Sequence, residues 1–162
     1  MVVKTRCDLP SGLDLAYLAF FLGLRVNELV MGRMTTAGFK GVRESHGYLI
    51  QHLIESERSI TDLAKRMDVT QQAASKVVAE LIGLGILEAA PARDRRAKRI
   101  RLSQRGWDCV RLGRRARAQI DRRLVSEAGA KDYEIARSIL VTYLRALGGM
   151  DRIRLRRVRA PR

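Results

Sequence analysis

Apolar positions in this chain recur at helical spacing almost throughout, and the rhythm changes only once, near residue 90. From Leu13 to about Met34 the run is dense: Leu15, Leu18, Ala19, Leu22, Val26, Leu29 and Val30 cover one broad side, and Tyr17, Phe20, Phe21 and Leu24 carry it further round. That breadth exceeds what a single packing partner covers. A second helix is expected over Val42–Ile54, with Leu49, Ile50, Leu53 and Ile54 inward. Ser103 to about Ala128 reads as a basic helix whose apolar stripe is Val110, Ala116, Ile120 and Leu124. Arg111, Arg114, Arg115, Arg117, Arg122 and Arg123 ring the rest of it. Between Asp132 and Leu147 the first theme returns, in Ile135, Ile139, Leu140, Tyr143, Leu144 and Leu147.

The central stretch from Ser59 to Leu102 is the most informative. Ser59 is a good N-cap, and Asp62 stands three residues later, where a carboxylate suits the positive end of a helix. Leu63, Ala64 and Met67 share one face, with Lys65 and Arg66 opposite. Asp68-Val69 interrupts, and Thr70 caps a new helix in which Ala74, Val77, Val78 and Leu81 turn inward. Gln71, Gln72, Ser75 and Lys76 are left outside on its first two turns. Gln can bridge adenine N6 and N7, and Lys can reach guanine O6/N7 or a phosphate. A merely solvated face carries the same residue types, so this helix alone is ambiguous.

The residues after this helix narrow the choice. Gly85 ends it, Ile86 to Ala90 extends into Pro91, and Arg93-Asp94-Arg95-Arg96 leads to a return strand in which Ile100 and Leu102 alternate with Lys98, Arg99 and Arg101. Cations crowded on a hairpin tip repel one another unless a polyanion is near. Asp94 is placed to fork onto the Arg96 guanidinium and aim it, and an aimed Arg suits the negative potential of a narrow minor groove. The order is helix, turn, helix, strand, basic loop, strand: a winged helix-turn-helix.

These residues resemble the MarR family of bacterial transcription regulators. The likeness lies in the run Thr70 to Val78, the closing Leu84-Gly85-Ile86-Leu87-Glu88, the wing Asp94-Arg95-Arg96-Ala97-Lys98, and Leu102-Ser103 followed by Gly106, matched in order and spacing. The resemblance implies a mainly α fold with a small β-wing, a winged helix-turn-helix lobe joined to a helical dimerisation lobe. Its divisions would be a dimerisation region at 12–36 and 130–150, a DNA-binding lobe at 40–102, a connecting helix at 103–129 and a basic tail at 151–162. It implies a homodimer on a pseudo-palindromic double-stranded DNA operator, most often as a repressor released by a small effector. The DNA-binding set would be Ser59, Thr70, Gln71, Gln72, Ala73, Ser75, Lys76, Arg93, Asp94, Arg95, Arg96 and Lys98. Ala73 departs from the pattern, because many relatives carry Thr or another polar residue there, which leaves one contact in question. By the same resemblance a small aromatic or phenolic effector would lodge between the first helix, the second and the connecting helix. Tyr17, Phe21, Arg25 and His46 are the candidates for that pocket, although aromatics at this spacing also suit a plain core.

Composition agrees with a polyanionic partner: the 162 residues carry a formal charge of +15, with a pI near 11.1. Charge of this size also serves a nonspecific nucleoid-associated or RNA-binding protein, which would not need the Gln/Ser/Lys cluster. No phosphate loop, nucleophile motif or catalytic carboxylate pair argues for an enzyme. His46 and His52 stand six apart with no cysteine or paired carboxylate beside them, so neither a metal nor another cofactor is expected. Cys7 and Cys109 suit a reduced cytoplasm, and neither stands where oxidant-sensing relatives keep their thiol. MVVKTRCDLP has no apolar leader core, and no charge-free stretch is long enough to span a bilayer, so neither secretion nor membrane insertion is expected. The tail from Arg152 is expected to be a mobile basic extension.

Overall fold

The computed structural model describes residues 12–91 and 99–155, apart from the side chains of Arg152 and Arg154. The first helix, α1 (Leu15–Thr36), is capped by Asp14, whose carboxylate accepts the Tyr17 N–H at 2.8 Å. Next come α2 (Glu44–Ile50) and a 3-10 turn (Gln51–Leu53), where the sequence suggested one continuous helix; the last turn tightens to i→i+3 bonding. The winged unit continues as β1 (Arg58–Ser59), α3 (Ile60–Met67), α4 (Gln71–Gly83), β2 (Leu87–Ala89) and β3 (Arg99–Leu102). The chain then enters α5 (Gln104–Ala128), α6 (Ala130–Ala146) and a short α7 (Met150–Arg154). The basic tail thus begins as helix, and its remainder lies outside the described residues, as does Cys7.

The sheet is antiparallel in the order β1-β3-β2, with Arg58 opposite Ile100 and Leu87 opposite Leu102. Glu88 faces Arg101 across the hairpin and pairs with it at 2.7 Å. Ile100 and Leu102 turn inward, as the alternation required. Strand β1 leaves no signal in the residue pattern, because two residues cannot display a period.

Local chemistry sets the joints. Ser59, Thr70 and Ser103 each cap a helix, accepting the N–H of Asp62, Ala73 and Gly106 at 3.1, 3.2 and 3.0 Å. The α3–α4 turn closes through Asp68 at φ 54°, with the Val69 N–H returning to the Ala64 carbonyl at 3.1 Å. A Cβ on Gly106 would stand 2.2 Å from the Ile86 carbonyl oxygen, so glycine is what lets α5 begin hard against the sheet. Arg105 anchors the same joint, its guanidinium 4.7 Å from the centre of the Phe39 ring and bonded to the Gly38 carbonyl at 2.7 Å.

One core runs through the winged unit and along α5. Leu49, Leu63, Leu81 and Ile86 are fully buried, joined by Val30 and Met34 from the C-terminal half of α1 and by Ala116 and Ile120 from α5. Arg33 reinforces the α1–α5 packing by donating to the Ala116 carbonyl at 3.0 Å. The rest of α1 is different. Leu15, Tyr17, Leu18, Phe20, Phe21, Leu22 and Leu24 are exposed, and α6 has no buried residue at all. Although Arg25, Glu28 and Arg33 interrupt it, α1 is by length and mean hydropathy long and apolar enough to cross a membrane.

Candidate nucleic-acid interface

The helix α4 is built as a two-sided element. Ala74, Val78 and Leu81 are buried on one side, and small or β-branched residues there let it sit close on α3. Gln71, Gln72, Ala73, Ser75 and Lys76 are exposed on the other, at the end that Thr70 caps. Among the described residues, none of Gln71, Gln72, Ser75 and Lys76 has its side chain tied up in a hydrogen bond or ion pair. Three described arginines of the winged unit are committed: Arg58 and Arg66 hold Asp62 at 2.9 and 3.2 Å, and Arg101 holds Glu88. The Arg58 bond, foremost, and that of Arg66 hold the Asp62 carboxyl below its usual range. Asp62 therefore stands near the Ser59 cap but is oriented by two guanidinium groups, which the sequence had not paired with it.

Ser59 is half-buried and Thr70 exposed, and each has its side-chain oxygen accepting a helix N–H, which leaves the hydroxyl proton free to donate. Arg93, Asp94, Arg95, Arg96 and Lys98 lie outside the described residues, and with them the Asp94–Arg96 fork.

Behind α4 stands a polar cluster that the sequence did not point to. His46 on α2 is 1% exposed. Its Nδ1 accepts the Arg43 N–H at 3.2 Å, so the proton of the neutral ring is on Nε2, which donates to Glu80 Oε2 of α4 at 3.2 Å. The Arg43 guanidinium donates to the same carboxylate oxygen. The His46 bond first, and the Arg43 charge beside it, hold the Glu80 carboxyl below the usual range. Residues 37 apart meet here, and only the packing of α2 on α4 brings them together.

The four expected effector residues are not brought together. Tyr17 and Phe21 lie against each other on exposed α1, their rings tilted by 57° with centroids 4.8 Å apart, and Arg25 pairs with Glu28 at 2.8 Å. His46 faces α4. A cavity of about 280 Å³ does lie between α1, α2 and α5, walled by Val30, Met34, Ile50 and Val110 and edged by Arg43, Tyr48, Arg114 and Arg117. Arg114 and Arg117 stand one turn apart on α5, a spacing that could have marked them in the sequence. Cys109 also lines this cavity; burial, opposed by the Arg105 charge, pushes its thiol up to about 11, so it stays protonated and unreactive near neutral pH. No group of three or more metal-binding side chains occurs among the described residues.

Comparison with known proteins places this architecture. The MarR family model matches residues 40–97. The YusO protein from Bacillus subtilis is similar in structure at a TM-score of 0.67 and 18% identity, over 82% of this chain and 94% of that one. MepR, a transcription regulator of the Staphylococcus aureus multidrug efflux pump MepA, gives 0.66 and 17%, over 83% and 99%. A MarR family protein from Bacillus stearothermophilus gives 0.65 and 14%, over 83% and 93%. No curated protein matches by sequence.

Proposed function

We propose that this protein, whose residues 40–97 match the MarR family model, is a homodimeric, sequence-specific regulator of transcription that reads double-stranded DNA with α4. The observation that carries the reading is the exposed, uncommitted Gln71, Gln72, Ser75 and Lys76 face on a helix whose other side is locked into the core. Gln72 and Lys76 would meet base edges in the major groove, while the hydroxyls of Ser59 and Thr70 would donate to phosphates. Ala73 could offer a base only an apolar contact, such as one with a thymine methyl. The wing residues Arg93, Asp94, Arg95, Arg96 and Lys98 would lie beside the minor groove, with Arg96 entering it. This work belongs in the cytoplasm, beside the genome.

Dimerisation would bury the exposed apolar surface of α1 and α6, placing two copies of α4 about one helical turn apart, roughly 34–36 Å. The functional division is then 12–36 and 130–150 as the dimer region, 40–102 as the reading lobe, 103–129 as the connection and 151–162 as a basic tail. The protein would act as a repressor, released when a small aromatic or phenolic effector occupies the cavity between α1, α2 and α5. At about 280 Å³ the cavity suits a single-ring compound, and Arg114 and Arg117 at its edge favour an anionic one.

Selecting bound fragments from a random DNA pool tests the reading. A recovered pseudo-palindrome bound about 10³-fold or more tightly than scrambled duplex is the expected result. Equal affinity for both would establish the nonspecific nucleoid-associated reading, which the +15 charge by itself would support. For the dimer, Phe21→Asp and Ile139→Asp should each yield monomers in light scattering; a wild-type monomer binding one half-site tightly contradicts it.

A further inference from the structure

Glu80 stands one helical turn beyond Lys76, the i,i+4 spacing at which a carboxylate and a lysine ordinarily pair on a helix surface. They do not pair here. The Glu80 carboxylate is turned to α2, where it accepts from His46 Nε2 at 3.2 Å and from the Arg43 guanidinium. Lys76 has no partner among the described residues. The α2 side holds the carboxylate closely: the His46 ring is buried, its Nδ1 accepts the Arg43 N–H, and its Nε2 lies 3.2 Å from Glu80 Oε2 and 3.0 Å from the Arg43 guanidinium. Burying a histidine solely to hold a half-exposed carboxylate makes little sense as stabilisation, since partly exposed ion pairs contribute little. It makes sense if that carboxylate must be kept from something else.

We infer that Arg43 and His46 are positioning residues for DNA reading: they hold Glu80 away from Lys76 and so keep the Lys76 ammonium free for nucleic acid. Arg43 is the adjustable part. Both bonds fall on Glu80 Oε2, so without Arg43 the carboxylate loses the charge that draws it to α2, and with only the His46 bond left it can turn along the helix to Lys76. A lysine so paired must give up that partner before it meets a phosphate or a base. The inference rests on α4 being the reading helix, and the two can fail separately.

The test is a set of five variants measured for affinity to the selected operator and to scrambled duplex over a salt series. Arg43→Ala should weaken operator binding about tenfold and flatten the salt dependence by about one phosphate equivalent, close to Lys76→Ala in both respects. Arg43→Lys should retain most of the wild-type affinity, because a cation still faces Glu80. Glu80→Ala should bind at least as tightly as wild type. The deciding variant is the double, Arg43→Ala with Glu80→Ala, which should recover the affinity and salt slope lost in Arg43→Ala alone. A role confined to helix packing, or a direct contact of Arg43 with DNA, leaves the double variant weaker than Glu80→Ala by the same factor that separates Arg43→Ala from wild type, so an undiminished difference overturns the inference. Wild-type affinity in Arg43→Ala overturns it too. Circular dichroism melts verify that each variant is folded, with Arg43→Gln replacing Arg43→Ala if that one is not. A wild-type protein without operator preference overturns the proposed function itself, and this inference with it.

Discussion

The winged unit and the terminal helices are both rich in apolar residues, yet they solve opposite problems. In the first, the apolar side chains at core spacing, Ile82 apart, find partners within the chain: Leu63 and Leu81 are wholly buried between α3 and α4, and Ile86 and Leu102 close the sheet side. In the second, Phe20, Phe21, Ile139 and Leu144 stand half-exposed on α1 and α6, not covered by any of the described residues. An exposed patch of this extent marks a surface meant for another molecule. The same hydrophobic chemistry thus specifies a self-sufficient lobe in one place and an unfinished one in the other. The difference lies in whether a second element of the same chain can reach the surface.

Truncations at matched leucines would break or sharpen this contrast most strongly. Leu63→Ala should lower the unfolding free energy by about 2–5 kcal/mol at every protein concentration, since it opens a cavity inside one chain. Leu144→Ala, at a side chain 41% exposed, should cost little at high dilution and progressively more as concentration rises. Chemical denaturation at two concentrations distinguishes them; a concentration-independent loss in both would mean that α6 belongs to the monomer core.

The next contrast lies within α4, between the face that packs and the face proposed to read DNA. Gln72→Ala should remove a bidentate base contact of about 1–3 kcal/mol from operator binding, leaving affinity for scrambled duplex and the melting temperature almost unchanged. An unchanged ratio of operator to scrambled affinity would remove Gln72 from the reading set. Thr70→Ala tests the cap that starts this face and should cost about 0.5–2 kcal/mol of stability, measured by thermal unfolding.

A smaller effect concerns pH. The Asp62 carboxyl is held below its usual value of 3.8, chiefly by the Arg58 hydrogen bond. Its contribution is therefore complete above that unfolded value and is lost as pH falls through the lowered, folded one. Asp62→Asn should be slightly less stable than wild type near neutrality, and the gap should close in strong acid. A gap that persists at the lowest pH would show that packing, not charge, is responsible. Smallest of all, Asp68→Gly relieves a left-handed backbone but loosens the unfolded chain, so its melting temperature should move by the equivalent of about 0.5 kcal/mol or less.

Local rules are enough to read much of this molecule from its residues. Ser59, Thr70 and Ser103 announce three helix starts, Gly85 announces an end, and the inward and outward faces of α4 follow from a period of 3.6, because all of these depend on neighbours within a few positions. Val42–Ile54 reads as plain helix because nothing local distinguishes a 3-10 finish. The effector candidates Tyr17, Phe21, Arg25 and His46 follow from which helices should meet, whereas the cavity depends on which faces of α1, α2 and α5 do meet. Those faces carry Val30, Met34, Tyr48, Arg114 and Arg117 instead. The two-residue strand at Arg58–Ser59, the Arg58–Asp62 pair and the Arg43–His46–Glu80 cluster are likewise decided only in three dimensions. Caps and periodicity are properties of a segment and are written in its sequence. Which side chain a charged group finally holds depends on how segments pack, and long, flexible arginines and glutamates can reach several partners until that packing selects one.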